Sequence, residues 1–126
     1  MVSFELMSIA LKFNEKINQQ DLEGLAELMT DDHTFIDSDG AVTKGKDVMK
    51  KGWQEFFKRF PDYKNIFTCV TIQNDIVVMI GYSTCSYKPL AGPNVWTAKV
   101  LDGLLSEWRV ILLDQRQSRV GKARKK

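Results

Sequence analysis

One carboxylate in this chain stands where it could move a proton. Asp37 closes the β-prone run Thr34, Phe35 and Ile36 inside "DDHTFIDSDG". In an apolar pocket a carboxylate is pushed toward its neutral form and becomes a better general base, able to take a proton from a carbon beside a carbonyl. At a solvated strand end it would be only a polar cap. Strand alternation puts His33, Phe35 and Asp37 on one face. His33 is expected to be exposed at the start of the strand. Lys99 is the second candidate. If Asp102-Gly103 makes a two-residue turn, Lys99 faces Ser106 and Thr97 faces Trp108, which sets Lys99 on the face of Trp108 and Val110. There it could pair with Asp37 or hold an anionic substrate; at the rim it would snorkel. Cys69 and Cys85 lack metal-ligand spacing, and no phosphate-binding glycine loop or nucleotide motif occurs. The expectation is therefore no metal and no cofactor.

The elements that must position these residues are readable from periodicity. Residues 4–17 have helical spacing, with Leu6, Ala10, Phe13 and Ile17 on one stripe and Met7 and Leu11 beside it. Asp21 can cap a shorter helix, "LEGLAELM". The strand "HTFID" follows, then a loop, "SDGAVTKGKD". A third helix spans about Lys46 to Arg59 and stops at Pro61. Its Val48, Met49, Trp53, Phe56 and Phe57 form an aromatic face, with Gly52 allowing close approach. Beyond it the period changes to two. Asn74-Asp75 and Asp102-Gly103 each mark a hairpin. Three helices and a short strand thus precede a four-strand antiparallel meander. The fold class is α+β, a curved antiparallel sheet wrapped round three N-terminal helices as a cone with an internal pocket.

The 126 residues suffice for one domain, residues 1–115, with a real core. Hydrophobic residues at 44% and charged residues at 27% are ordinary for a soluble protein. No apolar run is long enough for a membrane span, and no signal peptide is apparent. Unpaired cysteines point to a reducing, cytoplasmic setting. Residues 116–126 carry six basic side chains and no acid, so the rest of the chain nets −4 against a total of +2. Such a tail can meet nucleic acid. It lacks aromatic interleaving, however, and the expectation is a flexible terminus without a nucleic-acid partner.

The order of these pieces resembles the SnoaL-like polyketide cyclases of the nuclear transport factor 2-like superfamily. The likeness covers about residues 5–115. It is carried by "DLEGLAELMTDDHTFIDSDG", the Gly45-Lys46 step into the third helix, and "DGLLSEWRVILLD". The last is similar to a turn-Gly, Trp-Arg strand of limonene epoxide hydrolases. The resemblance implies a cone with a deep apolar pocket, in a homodimer packed through the outer sheet face. It places Asp37 where ketosteroid isomerases carry their base. Their tyrosine donor corresponds here to Phe13, and their late acid has no counterpart in "NVWTAKVL". The epoxide hydrolase acid corresponds to Val110. Asp114 is the one candidate for the late-strand aspartate of the cyclases.

The family catalytic sets are thus incomplete, and three functions stay open: cofactor-free proton transfer, non-catalytic binding of a small apolar molecule, and an interaction module. The expected pocket walls are Phe13, Ile17, Phe35, Trp53, Phe57, Met79, Lys99, Trp108 and Val110, with Asp37 as the polar group. Trp96, Ile111 and Leu113 are expected on the outer, dimer-forming face.

Overall fold

A computed structural model describes residues 2–113. The expectations for Asp114 and the basic tail fall outside them. Helix α1, Ser3–Gln19, buries the stripe Leu6, Ala10, Phe13 and Ile17 and ends at Gln20 in a left-handed turn. Asp21 caps α2, Leu22–Glu27, by accepting the Gly24 N–H at 2.9 Å. Strand β1, Met29–Ile36, begins earlier than its apolar run suggests. It turns back into β2, Val42–Lys44, a strand that the polar loop sequence conceals. Helix α3, Lys46–Arg59, carries Met49, Trp53 and Phe57 inward.

Four strands complete the sheet: β3 (Lys64–Gln73), β4 (Ile76–Thr84), β5 (Gly92–Leu101) and β6 (Leu104–Leu112). Both expected two-residue turns form, with positive φ at Asn74, Asp75, Asp102 and Gly103. The six strands run β2-β1-β6-β5-β4-β3. The sheet is mixed, not wholly antiparallel, because β1 lies parallel to β6. It is open and curved, and the helices cover its inner face.

One bulge resets the expected facing of several residues. Past the Asp102-Gly103 turn, Leu101 pairs with Leu104 and Val100 with Leu105, but Lys99 then pairs with Glu107. Ser106 is the extra residue, and its hydroxyl donates to the Lys99 carbonyl at 3.2 Å. A one-residue shift exchanges the faces of everything beyond it. Ala98 therefore faces Trp108, and Trp96 faces Val110. Trp96 turns inward and is fully buried, where the unshifted register had put it outside. Lys99 turns outward, with its ammonium 3.7 Å from Glu107, and cannot reach Asp37 from that face.

His33 also departs from expectation, being 0% exposed. A register break between Met29 and Thr34 interrupts the β1–β6 ladder. The His33 side chain bridges it, with Nδ1 2.8 Å from the Leu105 carbonyl oxygen. A carbonyl only accepts, so Nδ1 carries the proton and the unpartnered, buried Nε2 does not. Burial pushes the His33 pKa down, against smaller upward pulls from Leu105, Glu107 and Asp32. The unfolded chain takes a proton below its ordinary value of about 6.5 while the fold resists it. This contribution to stability is full above about pH 6.5 and declines as pH falls toward the lowered folded value. His33 is the only histidine. Urea unfolding should weaken from pH 7.5 to 5.5, by up to about 1.4 kcal/mol per pH unit. A His33→Asn variant should flatten that slope; an unchanged slope would show that other groups set it.

Candidate functional site

The cavity lies between α3 and the inner face of the sheet. Strand β1 brings Phe35 and, one residue past its end, Asp37, while β2 brings Thr43. One face of α3 supplies Val48, Met49, Gly52, Trp53 and Phe56, positions three or four apart on neighbouring rows. Tyr63 and Asn65 enter at the start of β3, Trp96 from β5, and Trp108 and Val110 from β6. The volume is about 270 Å³. That lies just under the roughly 300–1,000 Å³ usual for drug-sized ligands, so the space suits a small molecule.

Ring packing fixes the walls. Trp53 meets Phe35 edge-on at 6.1 Å and Phe56 at 5.6 Å, and Phe56 meets Tyr63 edge-on at 4.9 Å. Behind them, Phe67 packs on Trp96 at 5.0 Å and Phe13 on Trp108 at 4.8 Å. Such pairs stiffen a wall because each ring limits its neighbour's rotamers.

Asp37 is held by its own loop. Its Oδ1 accepts the amide N–H groups of Asp39 at 2.9 Å and Ala41 at 3.1 Å. The loop closes through Gly40 N–H to the Asp37 carbonyl and Asp37 N–H to the Ala41 carbonyl. One carboxylate oxygen is thus committed to the turn. The other has no hydrogen-bond partner among the described residues.

The polar part of the lining continues into a buried chain. Ser83 Oγ donates to Asn65 Oδ1 at 2.8 Å and accepts from Asn94 Nδ2 at 2.8 Å. With that proton spent, the Tyr63 hydroxyl is the donor in its 3.2 Å contact with Ser83. Asn65 Nδ2 donates to Asn14 Oδ1 at 3.1 Å. The Asn18 side-chain amide pairs with the Asn65 backbone, accepting its N–H at 2.8 Å and donating to its carbonyl at 2.9 Å. It serves as one more strand residue, supplied by α1.

Of the expected walls, Phe35, Trp53, Trp108 and Val110 line the cavity together with Asp37. Phe13, Ile17, Phe57 and Met79 lie in the core beneath it instead. Lys99 is on the opposite face of the sheet, for the reason of register given above. Trp96, Tyr63, Asn65 and Thr43 were not foreseen. Trp96 needed the bulge to be known. Tyr63 and Asn65 acquire their roles only through partners on α1, β4 and β5, which no local pattern encodes.

Comparison with known proteins agrees with this fold. The SnoaL-like domain matches residues 10–108. No curated protein sequence matches the chain. Among solved structures, an NTF2-like protein of unknown function from Cytophaga hutchinsonii is similar at 11% identity. It has a TM-score of 0.69 over 83% of this chain and 87% of that one. An LEH-like epoxide hydrolase of M. tuberculosis has 14% identity and a TM-score of 0.74 over 86% and 82%. A computationally designed 17-OHP binder has 17% identity and a TM-score of 0.73 over 86% and 91%. These likenesses establish the cone fold. With the domain matched over most of its length, the chain belongs to the SnoaL-like family.

Proposed function

We propose that this protein binds a small, largely apolar molecule inside the cone, with the ligand's polar end at Asp37. The observation that carries this reading is the aromatic cavity with a loop-held carboxylate on its lining, one of whose oxygens is left over. The designed relative of the same fold is a binder, which fits. All three tryptophans of the chain line the cavity, so intrinsic fluorescence reads it directly. Small aromatic alcohols should give saturable changes in tryptophan emission; a flat titration across such a series would end this reading.

A second reading is favoured by the presence of Asp37, Asn65 and Tyr63 on one lining. It is cofactor-free proton transfer of the isomerase or cyclase type, with Asp37 as base and a substrate carbonyl directed toward Asn65. The enzyme should then speed exchange of deuterium into the α-carbon of a bicyclic ketone such as 2-tetralone, followed by NMR. Asp37→Asn keeps the acceptor for Asp39 and Ala41 but removes the base, so exchange should fall by about 10²–10⁴ while binding persists. Wild-type exchange no faster than buffer would leave binding alone.

Assembly follows from the outer sheet face. Cys69, Ile80, Val95 and Ile111 form one row across four strands, with Ile80 40% and Ile111 38% exposed. We infer a homodimer through this face. Light scattering at micromolar concentration should give a dimer mass, and Ile80→Glu a monomer mass; a monomeric wild type would overturn it. The free thiols Cys69 and Cys85 fit a reducing compartment such as the cytoplasm. No helix among the described residues is long and apolar enough to cross a membrane.

A further inference from the structure

The cavity lining carries one formal charge. Asp37 supplies it, and among the described residues no lysine, arginine or histidine lines the space. Away from the lining, Lys50 of α3 pairs with Glu23 at 2.7 Å and Lys99 with Glu107 on the outer face. The same lining includes Trp53, Phe56, Trp96 and Trp108. The indole nitrogens of Trp53 and Trp96 are buried and unpartnered, with no surface open to the cavity. Neither indole therefore offers the cavity an N–H donor; with Trp96 0% and Trp108 1% exposed, the ring surface open to it comes from Trp53 and the half-buried Phe35 and Phe56. An aromatic face is the negative part of the ring quadrupole, and it attracts a desolvated cation.

We propose that the cone takes an organic cation: a small ammonium carried on an aromatic or apolar body. The ammonium meets the spare Asp37 oxygen, and the body packs against Phe35, Trp53 and Phe56. An anion would instead face Asp37 in a low-dielectric space with no countercharge on the lining. A neutral molecule would gain the apolar contacts but leave the carboxylate unpaired. This inference rests on the reading of the cone as a ligand site. It goes with binding and not with proton transfer, because the ion pair occupies the oxygen a base would use.

The test is calorimetric titration of the protein with three probes of near-equal size: 2-phenylethylamine, 2-phenylethanol and 3-phenylpropanoate, at pH 7.5. The amine, protonated at that pH, should bind on the order of tenfold tighter than the alcohol, and the carboxylate weakest of all. Asp37→Asn should erase the difference between amine and alcohol. An alcohol equal to or tighter than the amine would overturn the charge assignment while leaving the pocket as a binding site. An amine preference that survives Asp37→Asn would overturn the ion pair. If none of the three binds, the ligand-site reading fails and this inference with it.

Discussion

Gly81→Ala should cost this fold about 3 kcal/mol or more. Gly81 sits on β4 opposite Phe67, beside the bulge between Phe67 and Cys69. A Cβ there would overlap the Ile66 carbonyl oxygen and lie 2.9 Å from both the Ile66 carbonyl carbon and the Phe67 Cα. All three are backbone atoms, so no rotamer change relieves the clash. Either β3 separates from β4 or the bulge is rebuilt. A bulge adds local twist and bends its strand, and that bend helps curve the outer end of the sheet. Equilibrium urea unfolding measures the loss. A variant that melts within two degrees of wild type, or about 0.5 kcal/mol for a chain of this size, would show that β3 has room the structure denies it.

The second large effect is expected at Asn65. Asn65 is 2% exposed, and its side chain links Asn14 to Ser83. Asn65→Ala leaves the Asn14 carbonyl without that donor and the Ser83 hydroxyl without its acceptor. Buried groups abandoned by a partner cost about 1–3 kcal/mol each, and Ser83 can recover part by turning its proton toward Tyr63. The net expectation is a loss of about 2 kcal/mol. The two hydrogen bonds from Asn18 go to the Asn65 backbone and survive, so the topology should hold. A loss below about 0.5 kcal/mol would mean that the chain of amides is already relieved by water. Because Asn65 also lines the cavity, the same variant should shift ligand affinity, which a purely structural residue would not do.

The helices and hairpins were legible because each is specified locally. The α1 stripe at Leu6, Ala10, Phe13 and Ile17 is a period that only a helix satisfies, and the turns at Asn74-Asp75 and Asp102-Gly103 are set by two residues apiece. Asp37 was legible as a lining residue for the same reason, since it shares a face with Phe35. What the chain hid is what depends on distant partners. Nothing in "LLSEW" announces that Ser106 is skipped in pairing, yet that one residue decides which way Trp96 and Lys99 point. His33 looked like a polar strand start because its acceptor, Leu105, lies 72 residues away. Strand β2 was concealed because a three-residue edge strand in a polar loop has no apolar face to declare it.

The parallel pairing of β1 with β6 also bears on how the chain is made. Strand β1 belongs to the first third of the sequence, and its inner neighbour in the sheet is β6, the last strand among the described residues. As the chain emerges from a ribosome, α1, α2 and β1 are complete long before anything exists to close that edge. The open side of β1 stays unpaired until β6 arrives. Closure over so long a separation is slow compared with hairpin formation. The β3–β6 meander can form early, and seating β1 on it becomes the late step of maturation. Nascent chains stalled before Leu104 should therefore be good clients for chaperones that bind exposed strand edges, while chains released past Leu112 should not.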